Sequence, residues 1–169
     1  MQRLYLIRHA KSSWADPGLD DFHRPLNPRG QKAVARMGER LVTAGIVPEL
    51  IVASPALRTK STALALAGAV GVDPQAIRYD QGLYLGSEAY YYRVLEASFT
   101  RINSLFLVGH NDTISRVASH LAGKNLGNIP TCGIVALDFP APGFTVAPGA
   151  ARLLFYWYPK DGDGTTDRG

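Results

Sequence analysis

The chain has 169 residues, of which 46% are hydrophobic, and this is enough for one well-packed domain and short for two. Its net charge is +4 at pH 7, but the cationic residues are scattered rather than gathered into a stripe with interleaved aromatic residues, which argues against a nucleic-acid partner. Cys132 is the only cysteine, so no internal disulfide forms and a cytoplasmic location is expected. No apolar run approaches the ~20 residues that cross a bilayer, so no membrane association is expected.

The first part of the chain predicts a strand, a long loop and a helix. An apolar run predicts the first strand at residues 3–8. The polar loop from 11 to 27 is long for an α/β connection, which favours a functional loop at the rim of a site. Asn27 at an N-cap and Pro28 at the first helical position then begin a helix that ends at Gly45.

The rest of the chain continues to alternate strand and helix patterns. The remaining elements are predicted, in chain order, as a strand at 50–53, a helix begun by Ser54-Pro55 and ended by Gly68 and Gly71, a strand at 77–79, a helix from Ser87 to about Phe99, a buried strand at 105–108, a helix capped by Asn111 or Asp112 and ended by Gly123, and strands at 134–137 and 153–157. No repeat or interdomain linker interrupts this alternation, so residues 1–160 are predicted to form a single α/β domain with a parallel sheet. Residues 161–169 contain no apolar side chain and are predicted to form a disordered tail.

Cationic and imidazole side chains follow three of the predicted strands. Arg8-His9 ends the first strand, Arg58 lies one turn inside the helix after the second, and His110 follows the fourth. The carboxyl ends of parallel strands meet in one crevice, so these side chains are expected to converge. Guanidinium groups bind phosphate oxygens through paired N–H donors, and a neutral imidazole can attack phosphorus. The pattern therefore favours a phosphate site.

Each of these residues also has an ordinary structural interpretation. An Arg-His pair at a strand end is more often a solvated edge, Arg58 fits an exposed helical face, and His110 fits a cap after a glycine turn. The two other histidines are expected to lie outside any site. His120 is interpreted as structural because it lies on a helix, and His23 as a solvated residue of the polar loop.

Rival phosphate chemistries lack the residues that they require. Cys132 is not followed by the Arg that a cysteine phosphatase loop needs, and it is interpreted as a buried structural residue. No G-x-x-x-x-G-K-[ST] or G-x-G-x-x-G run is present, and neither is an H-E-x-x-H helix or a Cys/His cluster. These absences favour a histidine nucleophile and predict no metal.

Several motifs occur in a fixed order along most of the chain, to about Pro159. They are LYLIRHAKSSW, Arg24-Pro25-Leu26-Asn27 with Gly30, Ser54-Pro55-Ala56-Leu57-Arg58 with Thr62-Ala63, Leu83-Tyr84, LFLVGHND and Pro130-Thr131-Cys132-Gly133. With them the chain resembles the histidine phosphatase superfamily, and within it most closely the SixA-type phosphohistidine phosphatases. The resemblance implies a phosphoglycerate mutase-like fold, which is a three-layer α/β/α sandwich with a mostly parallel central sheet.

The resemblance also implies roles for the residues at the strand ends. His9 would accept the phosphoryl group, and Arg8, Arg58 and a protonated His110 would complete the phosphate pocket. Ser12 is a further candidate to bind the phosphate through its hydroxyl or backbone. No metal or other cofactor is required, because cationic side chains take over the electrostatic role of a metal.

The general acid is unassigned at this point. Many members of the superfamily use a Glu or Asp to protonate an alkoxide, and Asp20, Asp21 and Glu88 are the candidates in this chain. No decisive motif surrounds any of them, and helix capping explains Glu88 equally well. SixA-type members also lack an evident acid, which is chemically reasonable because imidazole is a much better leaving group than an alkoxide.

The short chain leaves little room for the inserted helices that roof the pocket in relatives acting on small phosphorylated metabolites. An open pocket favours phosphohistidine on a signalling or phosphotransfer protein as the substrate. A broad phosphomonoesterase acting on small molecules would have the same sequence features. A noncatalytic module that binds phosphorylated proteins is a third interpretation, but such a module has no need for the nucleophile His9.

Overall fold

The structure, a computed structural model, describes residues 1–160, and the tail predicted at 161–169 lies outside the described residues. The described strands are β1 (Gln2–Arg8), β2 (Leu50–Ala53), β3 (Arg78–Tyr79), β4 (Ser104–Gly109), β5 (Ile134–Phe139) and β6 (Arg152–Trp157). The described α-helices are α1 (Pro28–Thr43), α2 (Leu57–Val70), α3 (Glu88–Phe99) and α4 (Thr113–Ala122). Short 3-10 turns cover Asp21–His23, Pro74–Ala76 and Gln81–Leu83. Within this range, no helix combines the length and the apolar character required to span a membrane.

The six strands form one sheet in the order β3-β2-β4-β1-β5-β6. The neighbouring strands from β3 to β1 are parallel, whereas β5 is antiparallel to β1 and β6 is antiparallel to β5. Helices α1 and α2 cover one face, and α3 and α4 cover the other. This arrangement confirms the predicted three-layer α/β/α sandwich with a mostly parallel sheet.

The central strands β1 and β4 are apolar in their middle residues because both of their faces are buried there. Successive side chains of a strand point to opposite faces. In β1, Leu4 and Leu6 pack in the core beside α3 and α4, whereas Tyr5 and Ile7 pack in the core beside α1 and α2. Strand β4, paired in parallel with β1, divides its residues in the same way. The site therefore rests on two strands that are held from both sides.

Helix α1 begins as the sequence predicts, but α2 begins later. The side chain of Asn27 accepts a hydrogen bond from the backbone N–H of Gly30 at 2.8 Å, and Pro28 is the first helical residue. The prediction that Ser54 caps α2 is wrong, because the N-cap is Ala56. The Ser54 hydroxyl lies instead 2.8 Å from Nε2 of His110. Helix α2 also continues through Gly68 and ends at Gly71, which has a φ of 81°.

Four strands bring their ends to one edge of the sheet. Arg8 at the end of β1 lies opposite Gly109 at the end of β4, and β2 ends beside them. Antiparallel β5 starts at this edge, two residues after Cys132. The N–H of Cys132 lies 3.1 Å from the carbonyl oxygen of Arg8 and 3.0 Å from that of His9. Cys132 adopts a φ of 62° there. The turn before β5 thus holds the residues that follow β1 in place.

Candidate active site

His9 is a buried, neutral imidazole immediately after β1. Its Nδ1 lies 2.7 Å from the carbonyl oxygen of Ala10, and because a carbonyl only accepts hydrogen bonds, Nδ1 carries the proton and Nε2 holds the free lone pair. The backbone N–H of Ala10 in turn donates to the hydroxyl of Thr62 at 3.0 Å. Burial, with a smaller effect from neighbouring positive charge, lowers the pKa of His9 to about 3. The ring is therefore in its nucleophilic form at neutral pH.

His110 lies beside His9 and belongs to the same cluster. The centroids of the two rings are 5.4 Å apart. Nε2 of His110 lies 2.8 Å from the Ser54 hydroxyl, and the hydroxyl of Tyr91 accepts a hydrogen bond from the His110 backbone N–H at 3.2 Å. Burial and the charge of Arg58 lower the pKa of His110 to about 4. Without a bound anion, burial and nearby cations favour the neutral ring, and the protonated His110 that the resemblance implies during phosphoryl transfer stays a prediction.

Arg58 is held by a carboxylate from the loop between β1 and α1. Its Nη1 donates to the backbone carbonyl of Asp21 at 2.7 Å, and its Nη2 donates to Oδ2 of the same residue at 2.9 Å. The Tyr84 hydroxyl donates to that oxygen at 2.8 Å, and Arg24 donates to Oδ1 at 2.9 Å. Burial alone would raise the pKa of Asp21, but the hydrogen bonds from Tyr84 and Arg58 and the two arginine charges lower it. Asp21 is therefore an ionised acceptor.

Arg8 is fixed at one end and keeps a free donor. Its Nη1 donates to the carbonyl oxygen of Ile129 at 2.9 Å, which ties it to the segment before β5. Its Nε is buried and has no hydrogen-bond partner among the described residues. A buried donor without a partner is costly, and an anion in the adjacent cavity would remove that cost.

The structure brings the four principal predicted residues into the lining of one cavity of about 310 Å³. Arg8, His9, Arg58 and His110 form its polar wall, and Asp112 and Arg116 lie on the side of α4. Leu85 also lines the cavity and is 83% exposed. Two guanidinium groups and two imidazoles around one space of this size suit a phosphoryl group. Their catalytic roles stay predictions.

The candidate phosphate ligand Ser12 and the three candidate acids do not line this cavity. The hydroxyl of Ser12 accepts a hydrogen bond from Arg24 and does not line the cavity. Asp20 is exposed and bonds to His23 at 2.7 Å, and Glu88 occupies the first turn of α3 outside the cavity lining. Asp21 accepts a hydrogen bond from Arg58 but does not line the cavity itself. None of the three carboxyl groups is thereby identified as a proton donor.

Several supporting residues were not identified from the sequence. Ser54 was interpreted as a helix cap, although its hydroxyl contacts His110. Tyr84 and Tyr91 position Asp21 and His110 respectively, and only Tyr84 belonged to a recognised motif. Asp112 was considered only as a helix cap, but it also lines the cavity. The signal for these roles is long-range proximity, which local patterns do not contain.

Cys132 and His120 have the structural roles that the sequence predicts for them. Cys132 is fully buried, and burial raises the pKa of its thiol to about 12, so it is not a thiolate nucleophile. His120 lies with Nε2 2.6 Å from the carbonyl oxygen of Val146 and joins α4 to the segment before β6. Among residues 1–160, no three His, Cys, Asp or Glu side chains are grouped so that they could hold a metal ion.

The two buried rings should not titrate near neutral pH. Because the pKa values of His9 and His110 are about 3 and 4, we expect both rings to remain neutral between about pH 8 and pH 5 in the phosphate-free protein. Long-range ¹H–¹⁵N NMR spectra would show this directly. Orthovanadate is expected to move the His110 signals toward the protonated form, because a bound anion raises the pKa of a neighbouring base. A titration midpoint above pH 5 without the anion would contradict the assigned neutral state.

Comparison with known proteins identifies the family and the fold. The family model of the histidine phosphatase superfamily (branch 1) matches residues 4–84. The crystal structure of the SixA protein of Agrobacterium tumefaciens is 32% identical and has a TM-score of 0.79, and the match covers 94% of this chain and 98% of that chain. The fold is thus phosphoglycerate mutase-like, as the resemblance implies.

Two further relatives extend the similarity in sequence. An uncharacterised chloroplastic protein of Arabidopsis thaliana is 30% identical over 145 residues, and the match covers 81% of this chain and 66% of that protein. An uncharacterised protein of Mycobacterium leprae is 30% identical over 166 residues, covering 91% of this chain and 100% of that protein. The chain therefore belongs to the histidine phosphatase superfamily and is a SixA-like phosphatase.

Proposed function

We propose that the protein is a metal-independent phosphatase that forms a phosphohistidine at His9 and removes phosphate from phosphohistidine on a signalling or phosphotransfer protein. The observation that carries this proposal is the tautomer of His9. With Nδ1–H held by the Ala10 carbonyl, Nε2 has its lone pair free beside Arg8, Arg58 and His110. A neutral nucleophile surrounded by donors for phosphate oxygens is the arrangement that phosphoryl transfer requires.

In the first step, Nε2 of His9 attacks phosphorus in line with the bond to the substrate imidazole. A bond forms between His9 and phosphorus as the substrate P–N bond breaks, and its electron pair returns to the substrate ring. That ring leaves as neutral imidazole when its other nitrogen is protonated. Arg8 and Arg58 stabilise the negative charge on the equatorial oxygens, and His110 joins them as the bound anion raises its pKa. These cations supply the stabilisation that a metal provides elsewhere.

In the second step, water hydrolyses the phosphorylated His9. The ring now carries phosphorus on Nε2 and a proton on Nδ1, so it is positively charged. The Ala10 carbonyl 2.7 Å from Nδ1 stabilises this form. Water attacks phosphorus, the P–Nε2 bond breaks, and its electron pair restores neutral His9. The products are dihydrogen phosphate and the starting enzyme, and no other reactant is needed.

The state of Asp21 supports an imidazole leaving group over an alkoxide. Of the candidate acids Asp20, Asp21 and Glu88, Asp21 is hydrogen-bonded to Arg58 of the cavity. The hydrogen bonds from Tyr84 and Arg58 and the charges of Arg58 and Arg24 lower its pKa and keep its carboxylate ionised. An ionised carboxylate has no proton to give to an alkoxide. A phosphohistidine substrate needs none, because its ring leaves neutral.

A small-molecule phosphomonoesterase is the second candidate function. The cavity of about 310 Å³ admits a phosphate with a small organic group, and the side chain of Asp112 also lines it. The two candidates are separated by comparing kcat/KM for a protein phosphorylated on histidine with kcat/KM for a panel of sugar phosphates. We expect the phosphohistidine protein to be preferred by a factor of about ten or more. A preference for the sugars would overturn the proposed substrate class.

Metal independence has its own test. Hydrolysis of p-nitrophenyl phosphate is expected to be unchanged after exhaustive treatment with EDTA, because Arg8, Arg58 and His110 supply the stabilisation of charge. The rate before and after dialysis against the chelator measures this. Loss of activity that returns with added Mg²⁺ or Zn²⁺ would overturn the metal-independent mechanism.

A further inference from the structure

A second, larger depression lies at the same edge of the sheet as the phosphate cavity. It has a volume of about 740 Å³ and is lined by five cationic side chains, at Lys11, Arg29, Lys32, Arg36 and Lys160, and by no Asp or Glu. We call these five residues and the surface between them the basic groove. Its cations come from the loop after β1, from α1 and from the segment after β6, so their clustering is not visible in the sequence.

The cations of the basic groove have no anionic partner within residues 1–160. All five are exposed, and none of them forms a salt bridge there. Arg29, Lys32 and Arg36 follow one another at intervals of three and four residues, which places them on one face of α1. The opposite face of α1 buries Val34 and Met37 in the core. Like charges gathered on one surface repel one another. Binding of an acidic surface would relieve this repulsion.

The basic groove is joined to the phosphate cavity through shared backbone. Lys11 is the second residue after His9, and its carbonyl accepts a hydrogen bond from the backbone N–H of Asn27 at the start of α1 at 3.0 Å. A Cβ on Gly30 would lie 2.2 Å from that carbonyl oxygen, so α1 packs directly on this backbone. Thr131 lines the groove and precedes Cys132, which bonds to the carbonyls of Arg8 and His9.

We infer that the basic groove docks an acidic surface of the phosphorylated protein substrate while its phosphohistidine enters the cavity. This inference rests on the proposed function. The cavity and the groove share no lining residue, so a small phosphorylated molecule held beside His9 fits within the cavity, whereas contact with both depressions requires a larger ligand. Tyr158 is the sole aromatic residue among those lining it, whereas nucleic-acid grooves stack successive bases on several aromatic rings. Acidic protein is therefore the occupant that its chemistry fits.

The test reverses the charge of the groove without touching the cavity. The variant carries Arg29→Glu, Lys32→Glu and Arg36→Glu, and the control carries Arg78→Glu, Arg101→Glu and Lys124→Glu, which are exposed cations outside both depressions. The probe is an acidic histidine-containing phosphotransfer domain phosphorylated with phosphoramidate. For the groove variant we expect KM to rise about tenfold at low ionic strength with kcat little changed. We expect this difference to shrink at high salt.

Three readouts decide between the outcomes. Hydrolysis of p-nitrophenyl phosphate should be the same in the wild type, the groove variant and the control. An unchanged KM in the groove variant, or an equal rise in the control, would overturn the docking assignment and leave the proposed function standing. Conversely, a wild type that hydrolyses p-nitrophenyl phosphate but not the phosphorylated domain would overturn the proposed substrate.

Binding is measured separately, so that it does not depend on turnover. Fluorescence anisotropy with the phosphorylated domain and His9→Ala protein should give a Kd that rises about tenfold when the groove is reversed. An unchanged Kd would overturn the docking assignment. Tighter binding of a short DNA duplex than of the acidic domain in the same assay would also overturn it, in favour of nucleic acid.

Discussion

Replacement of His9 by Ala is expected to lower kcat/KM for both p-nitrophenyl phosphate and a phosphohistidine protein by a factor on the order of 10⁴ or more. The proposed mechanism forms its covalent intermediate on Nε2 of this ring, and no other imidazole in the cavity has an uncommitted nitrogen in the same position. His110 has its two nitrogens near Ser54 and Arg58. The loss should therefore appear in kcat.

The direct measurement is to trap the intermediate. After mixing with ³²P-labelled substrate and quenching in alkali, the wild type should carry label that is stable to base and labile to acid, as phosphohistidine is. His9→Ala should carry none. His23→Ala is the matched control, because His23 is exposed and contacts Asp20 outside the cavity. Circular dichroism verifies that both variants are folded. Label on the His9 variant would contradict the nucleophile assignment.

Replacement of Arg58 by Ala is expected to lower kcat by a factor of about 10² to 10³. Arg58 offers two terminal nitrogens on a planar fork, and the variant removes both from the charge that develops on phosphorus. Arg58→Lys should recover little activity, because one ammonium group does not reproduce the paired geometry. Lys60→Ala is the control on the same helix, since Lys60 is exposed and lies over the ring of Tyr79.

The same variant should also bind anions more weakly. Inhibition of the wild type and the variant by orthovanadate measures this, because vanadate adopts the geometry of the transferring group. If Arg58 acted only by holding the loop through Asp21, Arg58→Ala would retain the vanadate affinity of the wild type. That result would assign Arg58 a structural role and remove it from the phosphate pocket.

The strands and most of the helices followed from the sequence because their signals are local, whereas the antiparallel pairing of β5 with β1 is a long-range feature. Asn27-Pro28 begins α1 and Ser87 caps α3, where it accepts from the N–H of Tyr90 at 3.2 Å, and both were predicted from capping chemistry alone. The start of α2 was misplaced for a tertiary reason. The hydroxyl of Ser54 contacts His110, which follows β4 and is far along the chain, and this contact competes with the capping role.

The four principal residues of the site were predictable from the sequence, but the residues that support them were not. The four polar residues follow strands whose ends must meet in a parallel sheet, so topology alone brings them together. The partner of Arg58 was not predictable in the same way. Asp21 lies in an irregular loop, and only the fold of that loop places its carboxylate beside Arg58 and Tyr84. The basic groove was missed because α1 and the end of β6 supply cations that are far apart in sequence.

The contact between Asp21 and Arg58 has a consequence for release of the product. Both terminal nitrogens of Arg58 are already bound when the cavity holds no phosphate. An arriving phosphate must displace or share the contact between Arg58 and Asp21. Arg58 therefore contributes to phosphate binding only the difference in free energy between its contact with phosphate and its contact with Asp21. From Arg58, orthophosphate gains only this difference once the leaving group has departed, whereas a protein substrate also retains its contacts outside the cavity. In the proposed mechanism, Asp21 would therefore compete with orthophosphate for Arg58 after hydrolysis and favour release of the product.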